Sequence, residues 1–185
     1  MNRAACLLSG VVLLAILSLN ALAADDKGTA VKFDDLKSTT PANWKEETPS
    51  NRLRYMQFKV PRAKGDDADG DLAIFKGITG SAKQNLERWK GQFLPPEGKK
   101  IDDITKVEEM KIAGCEVMYV DIAGIYLDGP PMLPAAQKKK KPDYRMLAIH
   151  FDAPDNTYHI KLIAPAKTVE EAKKGFDEWL KGFKK

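Results

Sequence analysis

The feature that most restricts the fold of this chain is a pair of alternating runs, residues 145–151 and 158–163, on either side of Ala153-Pro154-Asp155-Asn156. Proline is favoured at the second position of a type I turn, so the two runs form an antiparallel hairpin. Hydrophobicity sets its register. Placing Leu147, Ile149 and Phe151 against Leu162, Ile160 and Tyr158 makes one face wholly apolar, whereas a slip of one residue would bring Ile149 against Lys161. The same register stands His150 opposite His159 on the other face, beside Ala148 and Lys161. The pair is expected to be partly exposed there.

A second hairpin spans residues 106–126, with Ala113 and Gly114 at its turn. That placement pairs Ile112 with Cys115, Lys111 with Glu116 and Met110 with Val117, giving two apolar pairs and one of opposite charge. Two further strands fall at residues 51–60, closed by Pro61, and at 72–78, after the turn-rich KGDDADGD. A helix opens after Gly80, with Ser81 as N-cap and Gln84 three residues on. Its stripe is Ala82, Leu86, Trp89 and Phe93, and Pro95, Pro96 and Gly98 close it. A last helix carries a capping box at Thr168 and Glu171 and the stripe Val169, Ala172, Phe176, Trp179, Leu180 and Phe183, with Lys181, Lys184 and Lys185 suited to the negative end of its dipole. Trp89 with Phe93, and Trp179 with Phe183, are aromatic pairs four apart that anchor each helix to a sheet. Strands joined by hairpins, interrupted and closed by helices, define an α+β class with a mostly antiparallel β-sheet flanked by helices.

The N-terminus has another purpose. An uncharged stretch follows Arg3, its apolar part ends at Asn20, and Ala21-Leu22-Ala23 is the small-x-small pattern of a cleavage site, so residues 1–23 read as a signal peptide. Residues 24–30 form a flexible lead-in and residues 31–185 a single domain. An uncleaved anchor is the competing reading, but Ser9, Gly10, Ser18 and Asn20 dilute the span. The protein is therefore expected to be exported, periplasmic or extracellular, with no transmembrane segment after cleavage. Cys6 departs with the leader, leaving Cys115 alone in the apolar run CEVMYV, where it reads as a small buried hydrophobe and not as a nucleophile.

These elements in this order, PANWKEE, GDLAIFKG, NLERWKGQF, KIAGCEV, DIAGIY, YRMLAIHF and VEEAKKGFDEWLKGF, resemble the PsbP-like family over residues 31–185. The resemblance implies an α/β/α sandwich, shared by the extrinsic photosystem II protein PsbP, a Ran-binding nuclear transport factor and many secreted bacterial proteins. It also implies a protein that acts by docking on partners and has no common catalytic constellation. No functional residue of that family maps onto this sequence.

The candidate chemistry is sparse. Asp66, Asp67, Asp69 and Asp71 are spaced as a hard cation would require, with Asp67, Asp69 and Asp71 the metal candidates, but no frame puts both the sixth-position glycine and the twelfth-position glutamate of a calcium loop in place. A solvated turn is the plainer reading. Opposed histidines can ligate zinc or copper, so His150 and His159 are a second metal candidate, although nothing near them in sequence supplies the remaining ligands. No nucleophile elbow, zinc-protease helix, phosphate loop or Cys-x-x-Cys motif is present, so no catalytic residue and no cofactor are expected beyond that metal ion. The lysine run Lys138, Lys139, Lys140 and Lys141, set among prolines in DGPPMLPAAQKKKKPD, reads as a projecting loop for an anionic partner, an acidic protein or an anionic surface. Nucleic acid is excluded as a partner by 30 basic against 26 acidic residues and by the absence of aromatics among those lysines. The reading is an exported non-enzymatic binding or accessory protein, with a metal-binding protein or metal-dependent enzyme centred on His150 and His159 as the alternative.

Overall fold

The computed structural model describes residues 27–130 and 132–185. The expected signal peptide and the first residues of the lead-in lie outside this range. Ten strands and two helices follow one another as β1 (Ala30–Phe33), β2 (Leu36–Thr39), β3 (Lys45–Glu47), β4 (Arg54–Val60), β5 (Gly70–Lys76), α1 (Ala82–Lys90), β6 (Phe93–Leu94), β7 (Thr105–Ile112), β8 (Cys115–Asp128), β9 (Lys139–Asp152), β10 (Thr157–Pro165) and α2 (Ala166–Lys181). Strands β3-β4-β5-β10-β9-β8-β6 form one sheet in that order, β7 also pairs with β8, and β1 and β2 make a separate ribbon. Every pairing is antiparallel.

Both hairpin registers agree with the sequence reading. Leu147, Ile149 and Phe151 pair with Leu162, Ile160 and Tyr158, and Ile112, Lys111 and Met110 pair with Cys115, Glu116 and Val117. The turn of the second hairpin has φ 51° at Ala113 and 85° at Gly114. Positive φ at both central residues is the mirror-image turn whose twist matches a two-residue hairpin.

Alternation along the central strands divides the interior in two. Tyr119, Leu147, Ile149, Phe151, Ile160 and Leu162 face α2 and bury Phe176, Trp179 and Leu180, with Phe33 and Trp44 in the same layer. Met118, Val120, Ile122, Met146 and Ala148 point the other way, onto Trp89 of α1. Strand segments buried on both faces read as nearly continuous apolar runs, as residues 117–120 of β8 and 146–151 of β9 do. Helix α2 is further tied to the sheet by Arg145, whose fork grips Asp121 at 2.7 and 2.6 Å and also meets Glu170.

Several expectations require correction. Helix α1 stops at Lys90, capped by Gly91, and Phe93 lies on β6; its ring is still buried in the same layer as Trp89. Helix α2 starts at Ala166, before Thr168, and no side chain of its N-cap residue bonds it. Thr168 is buried in the first turn, where Asp66 accepts from its backbone N at 2.9 Å and from its hydroxyl at 2.6 Å. The cap therefore comes from a distant turn, which local spacing does not reveal. The lysine run is not a loop. Lys139, Lys140 and Lys141 belong to β9 and pair with Asp128, Leu127 and Tyr126. Pro142 is tolerated because it falls where the register shifts between Gly124 and Tyr126 and needs no ladder donor.

Candidate functional site

His150 and His159 meet as the hairpin register requires, but they are buried, 5% and 4% exposed, and not partly exposed as expected. Helix α1 is the reason. The Trp89 ring stands edge-on to His159, with centroids 5.9 Å apart and planes at 78°. His150 Nδ1 lies 2.9 Å from His159 Nε2, and His150 Nε2 lies 3.1 Å from an Asp152 carboxylate oxygen. One proton arrangement satisfies both contacts with neutral rings: His150 Nε2 donates to Asp152, and His159 Nε2 donates to His150 Nδ1. The buried Nδ1 of His159 is left with no partner. A chain of this kind uses the facing nitrogens on each other and does not offer both lone pairs to one ion. Among the described residues no group of three His, Cys, Asp or Glu side chains could hold a metal.

Lys161 stands two residues from His159 on the same face. Its cross-strand neighbours are Ala73 on β5 and Ala148 on β9. Its Nζ donates to Gln92 Oε1 at 2.9 Å and lies 5.9 Å from the Phe75 ring centroid. Burial, then repulsion from Arg54 and Arg88, outweighs the pull of Asp71 and brings its pKa down to about 8. Arg54 grips Asp71 through both terminal nitrogens, at 2.6 and 2.8 Å, while its Nε is buried without a partner. Arg88 donates to the Asn85 side-chain oxygen at 2.9 Å. Sequence reasoning missed this cluster, because its members come from β4, β5, α1 and β10 and share no spacing. A lysine in place of an apolar residue on the second face of a core hairpin was the signal that could have found it.

The acidic turn is occupied by the protein itself. Asp66 caps α2, Asp69 accepts from the backbone N of Arg62 at 3.1 Å, Asp71 holds Arg54, and the Asp67 carbonyl accepts from Arg62. Cys115 is half-buried, and burial raises its thiol pKa, so it is not a ready thiolate.

The lysine run sits on an arm. Strand β10 ends at Pro165 opposite Tyr144, so residues 139–141 of β9 are paired with β8 alone. Lys141 bonds Asp128 at 2.8 Å and lies over the Tyr144 ring. Lys139 and Lys140 are exposed and Lys138 half-buried, and among the described residues these three make no ion pair. The connection before them carries Met132, 93% exposed, and Leu133, 38% exposed. Elsewhere, β2 and the end of α2 flank a cleft of about 660 Å³ whose lining includes Lys37, Ser38, Thr40, Glu178, Trp179 and Lys184 but neither histidine and no residue of the lysine run.

No protein-family model matches the chain, and no curated protein matches its sequence. Solved structures do. Cyanobacterial PsbP (CyanoP) from Synechocystis sp. PCC 6803 is 11% identical over 90% of this chain and 97% of its own, with a TM-score of 0.51. LpqN, involved in cell envelope biogenesis of Mycobacterium tuberculosis, is 12% identical over 84% and 88%, at 0.46. PA94, a Pseudomonas aeruginosa protein of unknown function, is 11% identical over 83% and 93%, at 0.47. Identities this low speak for architecture alone, and the CyanoP match carries it. The chain has a PsbP-like fold, a mostly antiparallel sheet with a helix on each face.

Proposed function

We propose that this chain is an exported, non-enzymatic accessory protein that docks on a partner with an acidic surface through the β8–β9 arm. One observation carries the reading: Lys138, Lys139 and Lys140 have no counter-ion among the described residues and directly follow the connection that carries the exposed Met132 and Leu133. Unpaired cations and exposed apolar side chains in one short segment are what a docking surface supplies, charge for approach and apolar area for contact. Lys141, the last of the run, is held by Asp128, so the uncompensated charge lies in the three lysines before it. The export part of the proposal rests on the signal-peptide pattern of residues 1–23, and N-terminal sequencing of protein recovered outside the cytoplasm tests it. No helix among the described residues is long and apolar enough to cross a membrane.

The docking part is tested by affinity capture from the exported fraction. Wild type is expected to retain a partner that a variant with Lys138, Lys139 and Lys140 changed to Ser releases, and that 0.5 M salt, roughly five times the level at which charges already screen over about 10 Å, also releases. Equal recovery by both proteins overturns the reading. Binding of the wild type to anionic vesicles, with no protein retained, replaces the acidic protein with a lipid surface.

A further inference from the structure

We propose that the face of the sheet beside α1 holds a binding site for a small oxyanion, a carboxylate or phosphate group, between Lys161, Arg54 and Arg88. The site is separate from the arm. Asp71, Ala73 and Phe75 alternate onto this face of β5, and Arg54 pairs opposite Phe75 while its terminal nitrogens reach Asp71. The Arg54 side chain therefore runs along the stretch of β5 that contains Ala73. Lys161 is the partner of Ala73 on β10, with Ala148 on its other side. Two alanines beside a lysine leave its ammonium and the Arg54 guanidinium to share the space above the sheet.

Two independent facts point to a missing acceptor. The first is charge. Lys161 has two arginines, Arg54 and the exposed Arg88, against a single carboxylate, Asp71, which Arg54 already holds, and it has no carboxylate within ion-pair distance among the described residues. The second is donors. Among the described residues the buried Nε–H of Arg54 has no acceptor, and the Lys161 ammonium, with three protons, has Gln92 as its one hydrogen-bond acceptor. An oxyanion is the group that accepts from a guanidinium edge and an ammonium together, and its bonds to them are charge-assisted. Asp152, which acts on the neighbouring His159, is engaged by His150, and Asp128, which shares the surroundings of Tyr126 with Asp71 and Arg54, is engaged by Lys141.

Binding is linked to protons. The groups facing Lys161 are Arg54 on β4, Asp71 on β5, Arg88 on α1, His159 on its own strand and Gln92 after α1, with Tyr126 of β8 near Arg54 and Asp71. An anion strengthens the charged form of Lys161 against the repulsion of the two arginines. Affinity is therefore expected to fall by about tenfold per pH unit once the pH exceeds the free lysine's pKa of about 8.

The experiment titrates inorganic phosphate, and separately acetate, into the protein lacking residues 1–23 at constant ionic strength with chloride, and follows amide and lysine side-chain NMR signals. Saturable shifts at Lys161, Ala73 and Arg54 are expected at pH 7 and not at about pH 10. Whichever ion binds more tightly gives the ligand class. Lys161→Met keeps the stem and removes the ammonium, and should weaken binding by about tenfold or more, as loss of a hydrogen bond to a charged group does. Arg88→Met on α1 supplies the same test should the first variant fold poorly. Substituting Lys138, Lys139 and Lys140 should leave these shifts unchanged, which separates the site from the arm. Shifts equal to the chloride control, shifts confined to the arm, or an unaltered affinity in both methionine variants would overturn the proposal.

Discussion

His159 makes the stability of this protein fall as the pH drops below neutrality, by an amount that can be worked out. Its ring is buried against Trp89; burial first, then the neighbouring His150 and Arg88, disfavour the imidazolium, with a further push from Lys161 and only Asp152 opposing. The pKa is pushed from 6.5 down to about 4. The sign follows directly. Above pH 6.5 the ring is neutral in both states and contributes no pH dependence. Below it the unfolded chain binds a proton that the folded chain refuses, so stability is lost as pH falls through this window, at about 1.4 kcal/mol per unit. From pH 6.5 to 4 the loss approaches about 3 kcal/mol, a large share of the roughly 5–15 kcal/mol that holds a domain together. Carboxylates titrate at the lower end of the same range, so the measurement must be a difference. Urea unfolding of residues 24–185 at intervals from pH 8 to 4, for wild type and for His159→Phe, isolates it. Phe keeps an aromatic ring beside Trp89 but leaves His150 Nδ1 without a partner, so the variant starts about 1 kcal/mol less stable at pH 8. Between pH 7 and 4 the wild type should lose about 3 kcal/mol relative to it, reversing the order of stability. A gap that stays constant to within about 0.5 kcal/mol across the series would refute the burial argument, because an exposed histidine titrates alike in both states.

Three smaller perturbations probe the joints of the fold. Asp66→Ala removes the distant cap of α2 and strands the Thr168 hydroxyl; a loss of about 1–2 kcal/mol in urea unfolding is expected, against less than about 0.5 for Asp67→Ala in the same turn. Asp34→Ala removes a carboxylate that accepts from the backbone of Asp155 and Asn156, the Asn156 amide and the Tyr158 hydroxyl, at 2.7 to 3.0 Å, and should cost about 2–3 kcal/mol at neutral pH. Burial acts to raise the Asp34 pKa, but those bonds prevail and hold it below the ordinary carboxylate value, so its contribution is present above about pH 4 and fades below; the variant should therefore unfold with a shallower acid limb. Gly124→Ala places a methyl group 2.9 Å from the Leu94 carbonyl oxygen and from Ile104 Cδ1, and should displace β6 from β8, seen as faster hydrogen exchange at Leu94, with a cost of about 1–3 kcal/mol.

What could be read from the sequence followed the range of the forces involved. The hairpins at 113–114 and 153–156 were legible because period-two alternation and turn chemistry act between residues close in sequence, and one apolar face admits one register. The same argument placed His150 against His159 but misjudged their exposure, because burial depended on Trp89, whose helix packs from 60 to 70 residues away in sequence. The cap of α2 shows the limit more sharply. Thr168 and Glu171 have the spacing of a local capping box, yet the chain takes Asp66 from a turn a hundred residues earlier, and in doing so withdraws that residue from the metal site its neighbours suggested. The lysine run failed in the other direction: its prolines argued for a loop, but a proline at a register shift leaves no ladder bond unmade, and the run continues as strand. These errors have one cause, since each concerned a side chain whose partner is chosen by tertiary packing. The polar cluster of Lys161, Arg54 and Arg88 belongs to the same class. Core packing explains why Lys161 lies between two alanines, but it does not explain why two arginines should be brought beside it with one carboxylate to share. Fold stability alone would favour an apolar residue at that position, because desolvating an ammonium that has no carboxylate partner costs free energy. If Lys161→Met is as stable as the wild type or more so in unfolding experiments, the lysine is not there for the fold.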